Sequence, residues 1–231
     1  MGRSIAEHLA ESGWTVVATY NTGLEEARES SRKHGVEIRQ LDMNNRSGSL
    51  DFARQIRSEF SFDALVNNAG VLEKEAFGKF SLDAWDRAFE VNVTAPLILS
   101  QEIGLHMGPG GSIVNIASTD AFICSFRSIA YSASKAALLS VTRSLANVLG
   151  PRGVRVNAVT PGWIDNGITE ESYEAASLTP LGRNGTPDDI AKLVAFLLGA
   201  DASFVNGASI VADGGYTGVD YFMKKESDSL G

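Results

Sequence analysis

Tyr131 and Lys135 stand four residues apart in Tyr131-Ser132-Ala133-Ser134-Lys135, at the head of an apolar stretch that predicts a helix over 130–149. Positions i and i+4 share a helix face. An ammonium beside a phenol favours the phenolate, so the pair predicts a tyrosine whose pKa falls from about 10 toward the range of a general acid or base. A solvated lysine next to a surface tyrosine is the plain alternative for such a pair in isolation. Ser118 precedes Tyr131 by thirteen residues and follows the apolar Asn115-Ile116-Ala117. That puts it at the C-terminal end of a predicted strand, where open α/β sheets place their ligands. A hydroxyl there can donate to a carbonyl oxygen, or can simply turn the chain. Asn67-Asn68-Ala69-Gly70 follows the preceding strand in the same way, with a turn as its plain alternative. Asn92 is a weak helix former inside a predicted long helix, a place usually given to an exposed residue or to a local backbone partner.

The elements that must position these residues alternate along the whole chain. Ile5, Ala6, Leu9 and Ala10 share a helix face that Gly13 ends, and Trp14–Thr19 is a β-branched run that predicts a buried strand. A helix over 24–34 closes at Gly35, a strand follows over 36–41, a helix over 52–60 and a strand over 64–66. A long helix is predicted over 82–106 with a kink at Pro96. Beyond it come a strand over 111–117, the helix over 130–149 and a strand over 154–159. Thr186 caps a helix over 187–198, and Ser209-Ile210-Val211 is a last strand. Apolar strands between helices indicate a parallel, doubly wound sheet covered on both faces, in one α/β domain over 1–231. The polar stretch 216–231 is expected to fray or to pack on a neighbouring molecule.

Length and charge narrow the partners. A chain of 231 residues buries a core without metal or disulfide staples. Twenty Lys and Arg against 28 Asp and Glu leave a formal charge of -8, which argues against a nucleic-acid duplex or an anionic membrane surface. Cys124 is the only cysteine, so it reads as a small buried apolar residue and no intrachain disulfide is possible. The three histidines show no metal-ligand spacing, and no metal is expected. No stretch approaches the roughly 20 apolar residues of a membrane span, and the first residues lack the apolar run of a secretory signal. A cytoplasmic protein is expected.

Taken together, the pieces resemble the short-chain dehydrogenase/reductase family, in the group that includes 3-oxoacyl-acyl-carrier-protein reductases and glucose dehydrogenase-like enzymes. The resemblance rests on Asn67–Gly70, on Val91-Asn92-Val93, on Ser118 and on Tyr131-x-x-x-Lys135. Pro161-Gly162, the run Pro180–Ala191 and Val211-Ala212-Asp213-Gly214-Gly215 extend it over nearly the whole chain. It implies a Rossmann-like fold and hydride transfer between a nicotinamide cofactor and a small carbonyl or secondary alcohol substrate. Tyr131 would be the acid/base, Lys135 would lower its pKa and hold the nicotinamide ribose, Ser118 would orient the carbonyl, and Asn92 would steady a proton-relaying water. Asn68, Ala69 and Gly70 would pack beside the adenosine ribose, with Asp42 near the adenine. Pro161, Gly162 and the Ile164 backbone would hold the nicotinamide. A homotetramer built through the helices over 82–106 and 130–149 is also implied, with Leu138, Leu139, Val141 and Leu145 serving core and interface.

Three departures from that pattern matter. Family members begin with a strand and a glycine-rich turn; here Gly2 matches only the last glycine, and the first strand is missing. Met1 is therefore expected to be an internal methionine of a longer frame, and the 231-residue form is expected to bind cofactor poorly. A non-catalytic nucleotide-binding or scaffold protein of the same fold is the alternative if the loop is lost. Past Pro161-Gly162 the family's threonine is replaced by Asn166, and the lid over 163–180 is short, with Asp165, Glu170, Glu171 and Glu174 and no Lys or Arg through Thr179. That disfavours a strongly anionic substrate held by the lid. The second strand ends in Tyr20-Asn21 with no acid to repel a 2′-phosphate, so NADP(H) is expected over NAD(H).

Overall fold

The structure, a computed structural model, describes residues 1–75, 78–123, 125–165 and 176–230. Cys124, Asn166, Glu170, Glu171 and Glu174 lie outside the described residues. In chain order the elements are α1 (Gly2–Glu11), β1 (Val17–Tyr20), α2 (Leu24–His34), β2 (Glu37–Gln40), α3 (Arg46–Glu59) and β3 (Ala64–Asn67). Then come α4 (Leu82–Phe89), a π-helical turn (Glu90–Thr94), α5 (Ala95–Gly104), β4 (Ser112–Ile116), α6 (Asp120–Ile123) and α7 (Ile129–Leu149). β5 (Arg155–Pro161), α8 (Pro187–Leu198), β6 (Ser209–Ala212) and α9 (Tyr221–Leu230) complete the fold.

Every strand pairing is parallel, in the order β3-β4-β5-β6 for one sheet and β1-β2 for the other. Alternate side chains of the larger sheet feed two cores. Ile113 and Val156 point into a cluster with Leu99, Ile103, Leu145 and Leu149, from α5 and α7. Val114, Ile116 and Val159 point the other way, onto Ile5, Leu9, Ile190, Val194 and Leu197 from α1 and α8. Helices thus cover both faces of a Rossmann-like α/β domain, as the alternation of elements predicts. Thr186 closes a capping box at the start of α8: its hydroxyl accepts from the Asp189 N–H, and Asp189 accepts from the Thr186 N–H. Gly35 ends α2 in the left-handed conformation (φ 70°).

Four expectations need correction. The first strand starts at Val17 rather than Trp14, and α3 starts at Arg46, where Asn45 caps it by accepting from the Gly48 N–H. The long helix over 82–106 is interrupted at Glu90–Thr94, with Ala95 N–H bonded to the Glu90 carbonyl. Thr94 and Ala95 keep helical φ/ψ, so the helix runs on from the π turn into α5 and Pro96, which has no N–H for the Asn92 carbonyl, lies just past the irregularity. The tail neither frays nor stays irregular: residues 221–230 form α9, because Asp220 accepts from the Phe222 and Met223 N–H groups.

The divided sheet is the consequence expected of a missing strand. β1 pairs only with β2 and β3 only with β4, so the facing edges of β1 and β3 have no ladder partner among the described residues. Between them runs a cleft of about 920 Å³, lined by Val17–Tyr20 on one bank and Ala64–Asn67 on the other, with Ile5, Ile56 and Leu99 also along it. Unpaired strand edges over an apolar floor are costly. An apolar β-strand and glycine turn of roughly a dozen residues, placed ahead of Met1 to run between β1 and β3, is expected to raise Tm by at least about 5 °C. Scanning calorimetry of both forms tests this; equal melting would show that the edges are satisfied without a strand.

Candidate active site

The site forms where β3, β4 and β5 end. β4 stops at Ile116, and Ser118 follows it, half-buried. α7 then lays Tyr131 and Lys135 across these strand ends. Lys135 is 3% exposed, and its Nζ donates to the Ile116 carbonyl at 2.8 Å. It also lies 5.6 Å from the centre of the Tyr131 ring. The Ser118 hydroxyl lies close enough to the Tyr131 phenol to lower its pKa in part. Tyrosine, lysine and serine therefore converge, which removes the plain surface-pair alternative.

Their titration differs from the expectation. Burial holds the Tyr131 phenol above its ordinary value, the nearby Ser118 hydroxyl works against that, and the charge of Asp120 adds to the rise. Burial lowers the Lys135 ammonium to about 8. An ammonium over the ring plane, with its proton engaged by a main-chain carbonyl, does not outweigh the loss of water around the phenol. The expectation of a lowered tyrosine pKa is thus not met in the chain by itself.

Asn92 occupies the π-helical turn and is completely buried. Its Nδ2 donates to the Val71 carbonyl (3.0 Å) and to Ser134 Oγ (2.9 Å), while its Oδ1 accepts from the Val71 N–H (2.9 Å). The side chain staples the segment after β3 to α7, and the π turn is what aims it inward. Gly70 is needed by the same crowding: a Cβ there would sit 3.2 Å from Asn92 Oδ1 and 3.3 Å from Lys135 Nζ.

A second group lines the cleft beside this centre. Gly2, Tyr20, Asn68 and Ala69 all face it. α1 begins at Gly2 with no side-chain cap, so first-turn N–H groups stand free at the helix end, a setting suited to a phosphate. A Cβ on Gly2 would collide with the Asn68 amide. Asn68 Oδ1 is buried with no hydrogen-bond partner among the described residues, an acceptor that a ribose hydroxyl would satisfy. These features fit a dinucleotide. Asn21 lies just past β1, its carbonyl accepting from Gln40 Nε2. Pro161 and Gly162 end β5, with Gly162 tight against Asp213, and Ile164 bridges to Gly185. Asp42 Oδ1 accepts from the Asn44 N–H, and Asp42 lines a depression with Arg46 and Ile98. Among the described residues no group of three or more His, Cys, Asp and Glu could hold a metal ion.

Sequence reasoning passes over Asp120, Ser134 and the Ile116 carbonyl. An acid two residues past Ser118 is visible in the chain; the other two partners exist only through the packing of α7 on β4.

Comparison with known proteins agrees with this geometry. The family model described as enoyl-(acyl carrier protein) reductase matches residues 1–217. The chain is 36% identical over 228 residues to the 3-oxoacyl-[acyl-carrier-protein] reductase FabG of Aquifex aeolicus, spanning 93% of this chain and 92% of that protein. A short-chain dehydrogenase/reductase of Serratia marcescens superposes with a TM-score of 0.87 at 35% identity, over 94% of this chain and 93% of the other. A short chain dehydrogenase of Burkholderia cenocepacia, solved in complex with NADP, gives 0.86 at 33% identity over 94% and 93%. With Ser118, Tyr131 and Lys135 gathered at the strand ends of a doubly wound sheet, the chain belongs to the short-chain dehydrogenase/reductase family.

Proposed function

We propose that this protein is an NADP(H)-dependent oxidoreductase interconverting a carbonyl and a secondary alcohol, with Tyr131 as the acid/base. The observation that carries the reading is the convergence of Tyr131 with the Ser118 hydroxyl and the Lys135 ammonium. A bound nicotinamide supplies or accepts the hydride. The protein's own groups do the rest. Ser118 donates to the carbonyl oxygen, and Tyr131 passes its proton to the same oxygen as the carbon is reduced. The high phenol pKa keeps that proton in place until negative charge develops on the substrate. Lys135 sets a positive charge behind the ring at the moment the phenolate forms.

Gly2, Asn68, Ala69 and Gly70 would hold the pyrophosphate and adenosine side of the cofactor, Tyr20 and Asn21 the 2′-phosphate end, and Pro161, Gly162 and Ile164 the nicotinamide. The absence of an acid at Tyr20-Asn21 supports NADP(H), as does the relative solved with NADP. The segment 163–180 serves as a substrate lid in this reading. The non-catalytic alternative is not favoured, since the relatives are named reductases and dehydrogenases. No helix among the described residues is long and apolar enough to cross a membrane. We place the protein in the cytoplasm, on its single cysteine, and as a homotetramer packed through α4, α5 and α7.

Tyr131→Phe keeps the ring and removes the proton, so NADPH-coupled ketone reduction is expected to fall at least about a hundredfold. The same spectrophotometric assay run with NADH is expected to be slower; near-normal rates in the Tyr131→Phe variant would remove Tyr131 from the mechanism.

Lys135 links the site to stability. It loses its proton near 8 when folded and near its ordinary 10.5 when unfolded. Between those values the unfolded chain binds more protons, so folded stability rises with pH. Lys135→Met removes that rise. In urea melts, wild-type stability relative to the variant is expected to grow by about 1–2 kcal/mol from roughly pH 8 to pH 9.5. A constant difference would mean that the ammonium is not buried.

Light scattering at micromolar concentration is expected to give the mass of four chains. A monomer would contradict the proposed assembly.

A further inference from the structure

Tyr131 lies in the first turn of α7, and that helix starts without a side-chain cap, since the Ser128 hydroxyl makes no capping bond. First turns without a cap fray. Two serines tie this one down. Ser132 Oγ accepts from the Ser125 N–H at 2.9 Å. Ser134, completely buried, donates its hydroxyl proton to the Tyr131 carbonyl at 2.7 Å and accepts from Asn92 Nδ2 at 2.9 Å. A helical serine often donates back to a carbonyl one turn earlier, and that bond by itself is a local matter. Here the acceptor side of the hydroxyl is engaged as well.

The Asn92 amide is oriented by Val71, whose N–H goes to Oδ1 and whose carbonyl takes one Nδ2 proton. The second Nδ2 proton must find an acceptor in a fully buried place, and Ser134 Oγ is that acceptor. An unbroken run of hydrogen bonds therefore leads from the Val71 main chain through Asn92 and Ser134 to the Tyr131 main chain. Val71 directly follows Asn68–Gly70, the segment assigned above to the adenosine side of the cofactor. We propose that Ser134 is a positioning residue: it sets the height of Tyr131 against the segment 68–71, so that the phenol and the cofactor meet the same carbonyl group. It acts through the Tyr131 main chain and the Asn92 amide. The inference rests on the oxidoreductase reading above. Ser134→Ala leaves an Asn92 proton unpaired in a buried place and frees the first turn of α7 to shift. A small misplacement of a proton donor slows the chemical step far more than it weakens binding.

The test is single-turnover NADPH oxidation by stopped flow, with protein and NADPH in excess over the best ketone of an aliphatic and aryl panel. This reads the chemical step apart from product release. In Ser134→Ala the limiting rate at saturating protein is expected to fall at least about tenfold. NADPH affinity by fluorescence quenching and half-saturation by ketone are expected to stay within about twofold of wild type. The ratio of rates in H2O and D2O is expected to rise by about half or more, as transfer of the Tyr131 proton becomes the slower event. A merely structural loss takes molecules out of the active pool and leaves both the limiting rate and the D2O ratio as they were. An unchanged limiting rate, or a fall carried wholly by weaker binding with the D2O ratio unmoved, would overturn the assignment of Ser134 and leave the oxidoreductase reading standing. No NADPH oxidation by the wild-type protein with any ketone would overturn both.

Discussion

The Lys135 ammonium is buried, and the site is arranged around that charge. Its proton goes to the Ile116 carbonyl, so α7 must lie across the end of β4. That crossing brings Tyr131 beside Ser118. A Cβ at Gly70 would press on the ammonium and on the Asn92 amide, at 3.3 and 3.2 Å. The buried Asn92 amide, packed against the same glycine, sits in the π segment. In the proposed mechanism that costly buried charge has a use, since proton transfer at Tyr131 would need a cation close by.

A second polar system keeps the strand ends in place. Asn67 Nδ2 donates to Ser100 Oγ (3.0 Å) and Asn115 Oδ1 (2.8 Å), and Asn115 Nδ2 donates to Thr142 Oγ1 (2.9 Å). Thr142 completes the chain on the Leu138 carbonyl. These buried groups join β3, β4, α5 and α7 in one line. Apolar packing tolerates small slips between layers, whereas a row of amides does not. The ladder thus fixes the depth at which Tyr131 and Ser118 meet.

Much of this is legible in the chain, for reasons that differ by element. Buried parallel strands are short apolar runs, and Ile113–Val114 or Val156–Val159 announce themselves by composition. The spacing of Ser118, Tyr131 and Lys135 carries the chemistry because a helix and a strand end give fixed geometry to fixed spacing. The π turn is hidden, since Glu90–Thr94 differs from its flanks by one hydrogen-bond register and by nothing in hydropathy. The tail helix is obscured because its cap, Asp220, is one more polar residue in a polar stretch. The direction of the Tyr131 pKa is beyond reach: it depends on how much water the phenol loses and on a carboxylate at 120, both properties of packing.

The division of the sheet also has a bearing on time. β3 to β6 share ladders and pack on two cores, and the amide row ties β3 and β4 to α5 and α7. The segment 17–40, comprising β1, α2 and β2, is joined to them by α1 and by a few side chains such as Val17. In a chain that starts at Met1, such a lobe is expected to form its own cooperative unit, with amide protons that exchange at a lower free energy than those of β4 and β5. The bank that bears Tyr20 and Asn21 would then belong to the part that opens first, and Ser118, Tyr131 and Lys135 to the part that opens last.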